Sequence, residues 1–298
     1  MNFTDKSYWF QLAYLLLFIV GSIIVFSSLS LFVGHFSGAA TGSRWYLYVV
    51  QSIGLFGMFF VPAVFFSYYA TKKWFSYSAA DKIAPLPLVG YVLILSLFIL
   101  PVVAGLGHLN EQISFPESMQ QLETWMRNME EAGKAVIQTL TANSNIPILL
   151  LNIVVMALFP AIFEEFLFRG TLQPFFAKWF ANKHVAILVT AFVFSAIHFQ
   201  FYGFIPRFLL GIYLGYLLVW SQSLWLPIIA HFMHNAVSLI FVHGAQRRGI
   251  DLEAIDPNQV QGFYPAVLFC AFCVGVGVYY LWREAAKIAS PSNTSKTA

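Results

Sequence analysis

The run from Trp9 to Val33 contains no Asp, Glu, Lys or Arg, and seven further apolar runs follow it. The hydrocarbon core of a bilayer is about 30 Å thick and takes about 20 helical residues to cross, so repeated runs of this length constrain the fold more than any other feature. They cover residues 9–33, 46–70, 86–106, 146–168, 184–200, 204–221, 224–243 and 264–282. Only 10% of the 298 residues are charged and 59% are hydrophobic. A soluble domain is about one quarter charged, so this chain cannot cover a water-facing surface. An all-α, polytopic integral membrane helical bundle with about eight transmembrane helices is expected.

The first run is too long for the apolar core of a cleaved signal peptide, about 7–15 residues, and a retained first helix is expected. Aromatic clusters such as "RWYLY" and "KKWFSY" sit where a membrane interface belongs. The net charge of +3 and the short basic pairs Lys72-Lys73 and Arg247-Arg248 give nucleic-acid binding no support. Cys270 and Cys273, within one apolar run, read as small helix residues rather than a metal or redox pair. If the chain starts in the cytoplasm, ten Lys and Arg fall on the cytoplasmic side and six on the other. Both termini are then expected to be cytoplasmic.

Three segments follow from this layout. Residues 1–144 hold the N-terminal transmembrane helices and a connecting segment; 145–243 form a compact core; 244–298 hold a loop, the last transmembrane helix and a polar tail. The connecting segment places Met119, Leu122, Trp125, Met126 and Met129 at three- and four-residue spacing, which is an amphipathic helix on a surface. A plain interfacial connector is the simpler reading of it, and a cap over an intramembrane cavity is the other.

Carboxylates within a bilayer are costly unless they are paired, protonated or facing a cavity. Glu164 and Glu165, in "FPAIFEEFLFRGTLQPF", are the only acidic residues in the eight runs. Glu165 and Arg169 are four apart, share a helical face and can pair. Glu164 is turned about 100° from Glu165, which leaves it free for chemistry. His198 closes "FSAIH", while His231 and Asn235 share a face in "HFMHN", with His234 nearby. A lone membrane histidine often just satisfies a helix–helix hydrogen bond; here a carboxylate, several imidazoles and an amide sit in three separate runs. Glu164 can act as general base on a water with His198, while His231 and Asn235 donate to a developing oxyanion. The alternative is a divalent metal such as Zn²⁺ held by Glu164, His198 and His231. No HExxH motif backs that choice.

The motifs "EEFLFR", "FSAIH" and "HFMHN", in this order, resemble the CPBP intramembrane proteases, also called the CAAX protease and bacteriocin-processing or Abi family. The resemblance covers about residues 145–243. It implies an intramembrane endopeptidase acting on a membrane-associated peptide or protein, with Glu164 and His198 activating water and His231 and Asn235 stabilising the oxyanion. Glu165 and Arg169 become the structural support, and a bacterial plasma membrane is the expected location. The family has been read both as metalloproteases and as metal-free glutamate-dependent enzymes, and the motifs do not choose. An ion- or solute-coupled transporter is the rival reading, but no internal repeat is evident and the ionisable residues cluster in one half. A non-catalytic immunity or interaction protein is the other rival; it has no need of the complete set.

Overall fold

A computed structural model of the chain describes residues 3–142, 145–252 and 254–289. The described residues form helices and turns, with no β-sheet. Nine longer helices carry the fold: α1 (Tyr8–Phe36), α2 (Arg44–Thr71), α3 (Leu86–Glu111), α4 (Gln120–Thr141), α5 (Ile146–Phe180), α6 (Lys183–Ala196), α7 (Phe204–Ser221), α8 (Trp225–Arg247) and α9 (Phe263–Ala289). Among the described residues, seven are long and apolar enough to cross a membrane; α4 and α6 are not.

The expected eight spans are therefore corrected to seven. The run 184–200 is largely apolar, but its helix ends at Ala196 after 14 residues. At 1.5 Å per residue that is about 21 Å, short of the hydrocarbon thickness. The run expected at 146–168 is instead a 35-residue helix that continues past its charged cluster to Phe180. Two π-helical stretches, Ile153–Leu158 and Phe168–Leu172, interrupt α5 on either side of its carboxylates. Such stretches add a residue to a turn and are frequent at functional sites.

Glycines set how the helices pass one another. A Cβ at Gly105 would fall 2.7 Å from Val267, and one at Gly277 only 2.4 Å from Leu95, so α3 and α9 run antiparallel in close contact. In the same way Gly34 meets Tyr46 and Gly57 meets Phe26, which makes α1 and α2 an antiparallel pair. Tyr8 at the start of α1 donates to the Lys178 carbonyl near the end of α5. Ser223, between α7 and α8, donates to the Lys82 carbonyl just before α3. The start of α1 and the end of α9 therefore lie at one face of the bundle. The short α6 preserves this: it turns back from α5 and packs along α7 as a hairpin.

Close packing at Gly57 gives a stability prediction. An alanine Cβ there would fall 2.1 Å from Phe26 Cγ and 2.2 Å from its Cβ, so the ring root and not just its tip must move. Gly57→Ala is expected to cost about 1–3 kcal/mol, the usual range for overpacking. Gly54→Ala, with nothing within 4 Å, should leave the melting temperature in detergent unchanged. Equal melting temperatures for the two variants would contradict this packing.

The amphipathic segment is a helix, α4, and it lies across the opposite end of the bundle. Trp125 packs on Phe201 with ring centroids 5.6 Å apart, and the Arg127 guanidinium sits 4.8 Å over the Tyr202 ring. Lys134 pairs with Glu111 at 3.2 Å, and Arg44 donates to the Ala142 carbonyl beyond the helix end. Met126 is buried, whereas Met119, Leu122, Trp125 and Met129 keep 37–42% of their surface exposed. The polar tail expected after α9 lies outside the described residues.

Candidate active site

Arg169 is fully buried, and its guanidinium is held by residues of the first two motifs and by one carbonyl of α7. Its Nη1 donates to Glu165 Oε1 at 2.7 Å and its Nη2 to the Gly211 carbonyl of α7 at 3.0 Å. The guanidinium lies 4.6 Å over the Phe194 ring. An unpaired charge here would be very costly, so the pair, its carbonyl acceptor and the ring hold α5, α6 and α7 in one arrangement. Since Arg169 sits inside the bundle, it belongs to neither side of the Lys/Arg count that orients the chain. It stands as a structural cation.

Phe194 is the hub of the second motif. Its ring contacts Phe168 (5.1 Å), His198 (5.3 Å) and His231 (5.9 Å) between centroids. His198 lies just past the end of α6, in a turn rather than in a helix. Its Nδ1 is 2.8 Å from the Phe194 carbonyl, which can only accept, so Nδ1 carries the proton. Phe199 follows with φ at 52°, a left-handed conformation uncommon for a bulky residue and a form of backbone strain often found at functional sites.

His231, on α8, is held from the other side. Its Nδ1 lies 2.9 Å from Glu165 Oε1, the oxygen that also takes Arg169. A carboxylate engaged with a guanidinium accepts, so this Nδ1 also donates. Glu165 thus braces both Arg169 and His231. Glu164, 5% exposed, has no hydrogen-bond partner among the described residues.

Glu164, His198, His231, His234 and Asn235 line one cavity of about 560 Å³. The motif residues expected to carry chemistry are therefore brought together, while Glu165 and Arg169 stay behind the wall. With Nδ1 engaged in each ring, Nε2 is the nitrogen that His198 and His231 have left for chemistry in the cavity they line. An unprotonated Nε2 and the Glu164 carboxylate are acceptors that can hold and deprotonate a water. A second carboxylate, Glu130, also lines the cavity with a buried Oε2 that has no partner among the described residues. The His234 Nδ1 is buried with no partner among the described residues. No group of three or more His, Cys, Asp or Glu among the described residues is placed to hold a metal ion. Glu164, His198 and His231 as arranged are thus not a ready ligand set.

The cavity lining supports the cap reading of α4 and adds one residue, Arg207, that the sequence reading did not single out. Glu130 and Ile137 of α4 line the cavity, so this helix roofs it and is more than a connector. Arg207 of α7 also lines it, and is its only Lys or Arg among the described residues. Its signal was legible: Arg207 is the only Lys or Arg within the eight apolar runs.

The fold and site together define a helical membrane protein with a Glu/His/Asn cavity. Residues 146–237 match the sequence model of the family described as type II CAAX prenyl endopeptidase Rce1-like. The family-level similarity is confined to this part of the chain, which holds all three motifs. The chain is also 31% identical over 90 residues to a protein of Bacillus subtilis (strain 168) described as "Uncharacterized protein YpbD". That match covers 29% of this chain and 43% of the Bacillus protein. No solved structure matches the chain.

Proposed function

We propose that the protein is an intramembrane endopeptidase that hydrolyses a peptide bond of a membrane-associated protein or peptide by a glutamate-activated water. The observation that carries this reading is Glu164, a buried carboxylate with no hydrogen-bond partner among the described residues, in a cavity it shares with two imidazoles whose Nδ1 atoms are already engaged. The water sits between Glu164 and His198. Its oxygen attacks the scissile carbonyl carbon while its proton passes to Glu164. Asn235 donates its amide N–H to the developing oxyanion; His231 flanks it and adds a donor only when its ring is protonated. The C–N bond then breaks as Glu164 returns the proton to the departing amine.

Residues 145–243 act as the catalytic core, with 1–144 supplying surrounding helices and the α4 roof, and 244–298 closing the bundle with α9. Without the buried Arg169 and the cavity-lining Arg207, the Lys/Arg count stands at nine against five, still favouring cytoplasmic termini. The active cavity then opens toward the opposite side, beneath α4.

Comparative proteomics of membranes carrying wild-type protein or Glu164→Ala tests the reading. A cleavage product present with the wild type and absent with the variant is expected. Identical peptide inventories, with both proteins equally abundant, would sink the protease assignment.

A further inference from the structure

Hydrolysis of a peptide bond puts negative charge on the carbonyl oxygen, and that charge needs hydrogen-bond donors aimed at it. The imidazoles and Glu164 do not supply them. The Nδ1 protons of His198 and His231 are spent on the Phe194 carbonyl and on Glu165, and Glu164 has only acceptors to offer. Gln51, Tyr202, Asn235 and Arg207 line the cavity with donors that do not depend on a tautomer, and of these Arg207 carries a positive charge.

Arg207 is held as a preorganised donor would be. Its Nη2 donates to Gln200 Oε1 at 2.9 Å and its Nη1 reaches the Gln200 carbonyl at 3.4 Å. Both partners are neutral. Among the described residues no carboxylate lies within 4.0 Å of the guanidinium, so its charge is left unpaired. Glu164 and the α4 carboxylate Glu130 act on it electrostatically from further away. A cation inside a transmembrane helix without a close counter-ion is costly and points to function. Gln200 is in turn covered by α4: a Cβ at Gly133 would fall 2.1 Å from its Nε2. The roof therefore packs on the residue that orients Arg207.

We propose that Arg207 is a catalytic residue whose guanidinium, positioned by Gln200, binds the scissile carbonyl oxygen opposite Glu164 and shares its negative charge with Asn235. This inference rests on the protease reading above. As the water oxygen bonds to carbon, the carbonyl π pair moves onto the oxygen held by Arg207 and Asn235. It returns to re-form the carbonyl when the C–N bond breaks. Arg207 exchanges no proton.

The test uses the purified full chain in detergent and a fluorogenic peptide spanning the cleavage site that depends on Glu164. Arg207→Gln should lower kcat by about 10²–10³-fold, the usual loss for one such donor. KM should change little, because the interaction strengthens only in the transition state. Arg207→Lys should recover part of kcat, since it keeps the charge but loses the planar fork. Gln200→Glu is the second variant: it leaves Arg207 in place but supplies the missing carboxylate, so kcat should fall although the melting temperature holds. If Arg207→Gln and Gln200→Glu keep wild-type kcat while Glu164→Gln is inactive, the role of Arg207 is refuted and the protease reading stands. A loss confined to KM also refutes it, because Arg207 would then recognise a ground-state anion on the substrate. If no cleavage depends on Glu164, the protease reading falls and this proposal falls with it.

Discussion

Glu165→Gln is expected to unfold or deplete the protein, whereas Glu164→Gln is expected to leave it folded and inactive. The two side chains are neighbours in sequence but differ in what depends on them. Glu165 Oε1 receives both Arg169 and His231, at 2.7 and 2.9 Å, with the Glu165 and Arg169 side chains fully buried. Removing the carboxylate charge strands a guanidinium inside the bundle, and breaking one partner of a buried pair costs about 3–5 kcal/mol. It also frees His231 to rotate or to change tautomer. Glu164 has no partner to strand, so the amide replaces it at little cost to the fold. Thermal unfolding in detergent and abundance in membranes separate the cases: Glu165→Gln should melt well below the wild type, and Glu164→Gln close to it. Arg169→Gln should melt low for the same reason, because Glu165 then keeps a buried charge. Equal stability of the two glutamate variants, with activity lost only in Glu165→Gln, would reverse the roles assigned to them.

The site's charged members could be found in the sequence because a bilayer makes polar residues conspicuous. Glu164, Glu165 and Arg169 stand out against apolar surroundings, and four-residue spacing anticipated the ion pair now seen at 2.7 Å. His198 was found as a residue but misplaced as structure. The run 184–200 keeps Ile197 and Phe199 beyond Ala196, and hydropathy does not fix the point where α6 gives way to a turn. A histidine beyond the end of a short helix need not lie at a fixed level in a full span, so it can meet Glu164 and His231 inside the bundle. The π-helical stretches of α5 were invisible for a related reason, since inserting one residue into a turn changes the hydrogen-bond register but not the composition. Arg207 is visible as the single Lys or Arg of the eight apolar runs. Taken as one of the six charges on the non-cytoplasmic side it reads as a topology signal, whereas a lone arginine inside a span needs a cavity or a partner.

Asn235→Ala is expected to lower kcat by about 10²–10³-fold, or about 3 kcal/mol of transition-state stabilisation, the typical loss for one oxyanion donor. Asn235 lies one helical turn after His231, on the same face of α8, and both line the cavity with Glu164. Its amide offers two N–H donors, and Asn is an uncommon ligand for Zn²⁺. An effect on kcat with KM unchanged is therefore the signature of the oxyanion role. A ligand role leaves a different one. If a divalent ion activated the water, Asn235→Ala or His231→Ala would lower bound metal, and excess Zn²⁺ would restore part of the activity. Elemental analysis of active protein, beside an assay after exhaustive chelation, decides between them. The expected outcome is activity that survives chelation and an Asn235→Ala defect that added metal does not repair. A stoichiometric metal whose removal silences the wild type, and whose return restores it, would overturn this assignment. Glu164, His198 and His231 would then have to close around the ion, with the Nε2 lone pairs of the two braced imidazoles as its nitrogen donors.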